Sequence, residues 1–171
     1  IMAGFTESGI TLDFPTDDWF RFEKTEPHKS ISCFNFKEMD ACWIDYEDKK
    51  FYAIELKDYT ATGSLESANT ADRKWNITKK VVDTMQMFLA AKYQNTFGQT
   101  LENEKNVDLH SFCLEAYFIT IINVADSSKG YIGAFKDNCL EALRGYTKVW
   151  GNAHVTVMTY EQARRKLPFV V

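Results

Sequence analysis

No run of apolar residues in this chain approaches the roughly twenty needed to cross a bilayer. The N-terminus lacks the basic-then-apolar layout of a secretory signal, so a cytoplasmic protein without membrane partners is expected. Cysteine is sparse and unpaired. Cys33, Cys42, Cys113 and Cys139 form no CxxC motif, which argues against a zinc knuckle or a redox dithiol and suits buried free thiols. His28, His110 and His154 form no HxxxH pair and are expected at surface or structural positions. No glycine-rich phosphate loop, nucleophile motif, internal repeat or low-complexity segment is visible. An excess of positive charge is missing too. With 20 Lys and Arg against 24 Asp and Glu the net charge is −4, which disfavours broad, charge-driven nucleic-acid binding. The cations that do cluster are Arg73, Lys74, Lys79 and Lys80, then Arg164, Arg165 and Lys166. Each cluster fits either a solvated helix face or a phosphate contact.

What is present is enough for a core. A hydrophobic content of 45%, with 15% aromatics, excludes a disordered chain, and 171 residues suit a single domain over 1–171. The most informative stretch is residues 38–59, E-M-D-A-C-W-I-D-Y-E-D-K-K-F-Y-A-I-E-L-K-D-Y. Two apolar-rich runs, 39–46 and 51–56, flank the charged E-D-K-K of residues 47–50, as in a β-hairpin. A two-residue turn at Asp48 and Lys49 sets Glu47 opposite Lys50, Cys42 opposite Glu55 and Asp40 opposite Lys57. Because side chains alternate, Asp40, Glu55 and Lys57 then share one face, with opposed Cβ atoms about 5 Å apart. Tyr52, Ile54 and Leu56 point to the other, core-facing side. A three-residue turn would bring Asp45 to the Glu55 face instead, but roughly 13 Å along the strand, too far to share an ion.

Two carboxylates and an ammonium on one face suit phosphodiester hydrolysis. Hard oxygen ligands bind Mg²⁺, which polarises a phosphoryl group and acidifies a bound water. A neighbouring lysine offsets charge that develops in the transition state.

Asp40, followed after fourteen residues by Glu55-Leu56-Lys57, resembles the D…(D/E)xK signature of the PD-(D/E)xK, or restriction-endonuclease-like, nuclease superfamily. Met39 stands where that family carries proline, and no opening helix with an additional Glu is read here. The resemblance spans residues 30–125. It implies a divalent-metal-dependent nuclease acting on nucleic acid, in the first instance DNA, with Asp40 and Glu55 as Mg²⁺ ligands (Mn²⁺ substituting) and Lys57 assisting the attacking water. It also implies an α/β fold with an αβββαβ-type core, a mixed central sheet flanked by helices. Glu38, two residues before Asp40, shares the metal face on an unbroken strand and is the candidate further ligand. The helix after the ExK strand often lends a polar residue to the site, which nominates Lys79, Lys80 and Gln86 as nucleic-acid contacts. The alternative is a non-catalytic domain of the same fold that binds a protein or nucleic acid, and a homodimer is also left open.

Along the chain, residues 1–37 read as a β-rich extension. Residues 10–14 alternate, 19–23 are expected to pair back on them, and 30–36 form the strand before the hairpin. Residues 58–72 read as a loop. The apolar stripe Ile77, Val81, Met85, Phe88, Leu89 and Tyr93 predicts a helix over 73–94. Residues 96–111 are a polar connection, and 112–124 form a strand covered on both faces. A helix should end at Gly151, a strand run over 154–158, and a final helix begin at Thr159, three residues before Gln162 in capping-box spacing.

Overall fold

The computed structural model describes residues 4–61, 65–111 and 115–171, with the backbone alone at 67–69. In chain order its elements are β1 (Phe5–Glu7), β2 (Ile10–Leu12), β3 (Trp19–Phe20), α1 (Glu26–Ile31), β4 (Ala41–Asp45), β5 (Lys50–Tyr59), α2 (Ser67–Lys92), α3 (Thr96–Lys105), β6 (Glu115–Val124), α4 (Ile132–Trp150), β7 (Ala153–Thr159) and α5 (Tyr160–Lys166). Five strands form one mixed sheet in the order β3-β4-β5-β6-β7. β4 runs antiparallel to both its neighbours, while β5, β6 and β7 are parallel. The parallel steps require crossovers, which α2 with α3 and then α4 supply. The chain is therefore α/β, with helices against a mixed sheet.

Both faces of the sheet are buried. Phe51, Ala53, Phe118 and Ile122 pack with Ile77, Val81, Met85 and Phe88 of α2 and with Phe135 and Leu143 of α4. The alternate residues Trp43, Ile54, Leu56, Ile119 and Ile121 pack with Phe5, Ile10 and Leu12 of the β1–β2 hairpin, Ala163 of α5 and Phe169. α3 lies against α2, and only glycine fits at position 98, where an added Cβ would stand 2.3 Å from Ala90 O. Among the described residues no helix is long and apolar enough to cross a membrane.

Several expectations change. Residues 19–23 do not pair back on 10–14. β2 pairs with β1 across a Ser8–Gly9 turn, both residues at positive φ, and Trp19–Phe20 joins the edge of the main sheet beside β4. Residues 30–36 form no strand. Thr25 accepts a hydrogen bond from His28 N and Pro27 occupies the first turn, so α1 starts there and runs into a 3₁₀ turn at Ser32–Phe34. These start signals outweigh the alternating pattern. β5 extends to Tyr59 and α2 begins at Ser67, which shortens the expected loop; residues 62–64 lie outside those described. The 96–111 connection contains a helix, α3, capped by the Asn95 side chain on Gly98 N. The start of the 112–124 strand, with Cys113, also falls outside the described residues. Cys42 and Cys139 are buried free thiols, as expected, whereas Cys33 is exposed.

The C-terminal half follows its sequence signals. α4 ends at Gly151, whose φ is +71°, and Thr159 and Gln162 form the reciprocal capping box that opens α5.

Candidate active site

The β4–β5 connection spans four residues, Tyr46 to Lys49, and not two. Lys49 takes the left-handed conformation (φ 57°), and Asp48 N donates to Asp45 Oδ1. Asp45 therefore sits opposite Lys50 and Ala41 opposite Ile54. One step beyond the last pair, Asp40 lies across from Glu55, not from Lys57. The shift of two residues leaves the sidedness intact, since alternation has a period of two. Asp40, Glu55 and Lys57 do share a face, and it is the one covered by α2. That face is interior. Glu55 is fully buried and Asp40 is 7% exposed.

Helix α2 closes the arrangement. Thr84 Oγ1 accepts from Met39 N (2.9 Å) and Asp83 Oδ2 from Lys37 N (2.9 Å), fixing the segment that leads into β4. Asp40 Oδ2 then accepts from Leu56 N at 2.7 Å, tying the start of β4 to β5. The other oxygen, Oδ1, faces Lys80 Nζ at 3.0 Å. The same ammonium lies 2.8 Å from both oxygens of Glu55, and Lys57 Nζ is 2.5 Å from Glu55 Oε1. Two acids thus meet two ammoniums in one cluster of zero net charge. Burial, followed by the neighbouring Asp40 charge, pushes the Glu55 carboxyl up to about 7, against the opposing pull of Lys80 and Lys57. Burial acts to lower the Lys80 pKa, but Glu55 and Asp40 outweigh it and hold the ammonium well above its ordinary value.

Above the cluster lies a cleft of about 440 Å³ lined by Lys37, Lys57, Tyr59, Asp72, Arg73, Asn76 and Lys80. Arg73, Asn76 and Lys80 recur at three- and four-residue steps on one stripe of α2. Arg73 also sits over the Tyr59 ring, 4.3 Å from its centroid. Four cations against one acid make this mouth positive in a chain that is acidic overall. The carboxylates form no part of its lining, so Lys57 and Lys80 stand between them and solvent.

Of the nominated residues, the fold brings together Asp40, Glu55, Lys57 and Lys80. It does not bring Glu38. The segment before Ala41 is not strand, and the Glu38 carboxylate lies 2.7 Å from His28 Nε2. Lys79 is turned aside to Asp83 (2.7 Å) and to the Phe36 ring. Gln86 is exposed, because six residues beyond Lys80 a helix has turned to its far side. Arg73, Asn76, Lys37 and Tyr59 were not foreseen as a group. The stripe Arg73-Asn76-Ile77-Lys80-Thr84 carries the signal, since Ile77 marks it as facing the sheet.

As a metal site the cluster offers hard oxygen donors that suit Mg²⁺ or Mn²⁺. Glu55 Oε1 is buried, with the Lys57 and Lys80 ammoniums 2.5 and 2.8 Å away, so an ion bound there would have to displace at least one of them. A separate group, Glu102, Asp108 and His110, holds its ligand atoms within 4.8 Å of one another. Glu102 already accepts from Leu109 N (2.6 Å) and His110 N (2.9 Å), so its carboxylate braces that loop. Comparison with family models, with curated proteins and with solved structures returns no match for this chain.

Proposed function

We propose that the protein is a divalent-metal-dependent nuclease of the PD-(D/E)xK type, with Asp40 and Glu55 as the ligands of Mg²⁺. The observation that carries this reading is the meeting of Asp40, just ahead of β4, and Glu55 of β5 beneath a cation-lined cleft, with Lys57 2.5 Å from Glu55. Three strands, a helical crossover and a parallel strand (β3, β4, β5, α2, β6) support the βββαβ part of the expected core. α1 falls between β3 and β4, so the opening helix of that core has no counterpart ahead of β3 among the described residues.

When bound, the ion lowers the pKa of a coordinated water and neutralises phosphate oxygens. The chain supplies the rest. Asp40 is held by Leu56 N and Glu55 by its place in β5, so both carboxylates are set in advance of substrate. Lys57, its side chain about a quarter exposed, reaches the cleft and can hold the attacking water or the departing oxygen. Lys37, Arg73 and Lys80 can take the flanking phosphates. Charge agrees with this division. With Glu55 ionised, as an ion bound to it requires, the four clustered side chains sum to zero, so a divalent ion leaves a surplus of two positive charges that a phosphodiester approaching its transition state offsets.

The test is cleavage of plasmid and labelled oligonucleotides with Mg²⁺ or Mn²⁺. Asp40→Ala and Glu55→Ala should lose activity by about 100-fold or more, and Lys57→Ala by roughly 100-fold. Equal cutting by the variants, or none by the wild type under any condition, refutes the assignment.

One observation favours a second reading, a non-catalytic domain of the same architecture. Lys80 already balances both carboxylates without any ion. Calorimetric titration separates the two: an enzyme takes up Mn²⁺ in a manner lost in Glu55→Ala, and a bystander domain does not.

A further inference from the structure

A second cleft, of about 700 Å³, lies at the C-terminal ends of β6 and β7, between the first turns of α4 and the helix α5. Its position relative to the carboxylate cluster follows from the sheet register. Lys57 pairs with Ile122, and Ile122 pairs with Thr159, so this cleft continues the row that carries Lys57. Two strand spacings of about 4.8 Å put Thr159 roughly 10 Å from Lys57, at the same end of the sheet.

Its walls are basic. Lys129, Lys136, Arg164 and Arg165 line it against two acids, Asp126 and Glu161. Those acids are already engaged, Asp126 with Lys129 (2.8 Å) and Glu161 with Arg165 (2.5 Å). Lys136 and Arg164 make no ion pair with the described residues. Lys136 Nζ instead donates to Gln162 Oε1 at 2.6 Å, the oxygen that also caps Thr159 N. The ammonium is thereby aimed across the cleft by an element that α5 needs for its own start. Arg164 lies over the Tyr160 ring, 5.8 Å from its centroid.

A second observation is the glycine in the wall. Gly133 lines the cleft in the first turn of α4, where glycine is a poorer helix former than alanine. Packing does not require it, because a Cβ built there meets nothing within 4 Å, and its φ is ordinary. What the missing side chain does provide is open backbone beside two unpaired cations.

We propose that this cleft binds the phosphodiester backbone of a nucleic-acid strand whose reacting phosphate lies at the Asp40–Glu55 site. The inference rests on the nuclease reading for the strand's direction and spacing, but the cleft itself is testable without any cleavage. It also accounts for how an acidic chain holds a polyanion. Cations line both clefts at one end of the sheet, Lys37, Lys57, Arg73 and Lys80 in the first and Lys136 and Arg164 in the second.

The experiment is anisotropy of a fluorescent oligonucleotide titrated with intact protein in chelator, across a salt series, so that no turnover occurs. Lys136→Ala/Arg164→Ala should weaken binding about tenfold or more and reduce the slope of log affinity against log salt by about two. Lys148→Ala, an exposed lysine in the last turn of α4, should behave as wild type, and Lys136→Arg/Arg164→Lys should restore affinity. Unchanged affinity and slope in the double alanine variant overturn the proposal. So does an equal loss in Lys148→Ala, the absence of wild-type binding at low salt, or displacement by inorganic phosphate as effective as by unlabelled strand. The two readings fail separately. Cleft-dependent binding with no metal-dependent cleavage sinks the nuclease and leaves the cleft, whereas cleavage with binding indifferent to Lys136 and Arg164 does the reverse.

Discussion

The two faces of the central sheet are both buried, and they are buried by opposite means. On the α2 face, the row through Glu55 runs Asp40, Glu55, Thr120 and Val157, and its centre is ionic. On the other face, one row crosses all five strands as Trp19, Trp43, Tyr52, Tyr117 and His154. From Trp43 onward its neighbours stack in turn, with centroids 5.2 Å apart for Trp43–Tyr52, 5.3 Å for Tyr52–Tyr117 and 4.7 Å for Tyr117–His154. Aromatic rows of this kind stabilise a sheet through apolar area and ring contacts. The ionic row works differently. Each charge there is costly to bury, and only the full set of partners makes burial tolerable. The aromatic face stabilises the sheet, while the charged face spends stability on the groups that the proposed function uses.

The strongest way to break the comparison is to remove one member from each face. Lys80→Ala leaves two facing carboxylates with Lys57 alone, and should cost about 3–5 kcal/mol at pH 8, in the range for broken buried ion pairs. Trp43→Ala should cost a similar 3–5 kcal/mol by opening a cavity against Tyr52, Phe14 and Phe169. Urea denaturation measures both, and pH separates them. The Lys80→Ala loss should shrink in acid, where Glu55 is neutral, while the Trp43→Ala loss should stay constant. A pH-independent Lys80→Ala loss would mean that the lysine acts through packing alone.

Glu55 sharpens the same contrast in the wild type. Its carboxyl titrates at about 7 when folded, above its ordinary 4.5. Between those values the folded state holds a proton that the unfolded chain has released. This group's contribution therefore falls as pH rises through the window, by up to about 3 kcal/mol at 1.36 kcal/mol per pKa unit. Glu55→Gln should flatten that slope, as read from unfolding free energies at pH 5 and 8. A slope unchanged by the substitution would place the proton elsewhere.

The sequence carried the face better than the register. Alternation alone placed Asp40, Glu55 and Lys57 together, and an error of two in the turn could not undo it, because an even slip keeps every side chain on its side. The pairing itself depended on Lys49 adopting a left-handed φ, which nothing in E-D-K-K announces. Glu38 was misplaced for a related reason. Its assignment assumed an unbroken strand, while Asp83 and Thr84 of α2 hold that segment outside the sheet. Such long-range hydrogen bonds leave no local signature. The strand expected at 30–36 is different, since Thr25 and Pro27 do announce a helix start, and those signals outweigh the alternating pattern. Lys80 was legible as one of several cations on α2, and its special place followed only from the Ile77 stripe.

A smaller effect tests how the α2 face holds its geometry. Thr84 is fully buried, and its Oγ1 accepts a hydrogen bond from Met39 N, one residue ahead of Asp40. Thr84→Val keeps the shape but leaves that N–H without its acceptor, which should cost about 1–3 kcal/mol. If Asp40 is a metal ligand, this modest loss should be accompanied by weaker Mn²⁺ binding, because the carboxylate is aimed by the backbone that Thr84 restrains. The smallest change belongs to the aromatic row. His154 is half exposed at the open end of the ladder, so His154→Ala should cost under about 1 kcal/mol and leave Mn²⁺ affinity untouched. Calorimetry on both variants decides whether the faces are independent. If His154→Ala also weakens metal binding, strain passes through the sheet from one face to the other, and the division between a stabilising face and a chemical one fails.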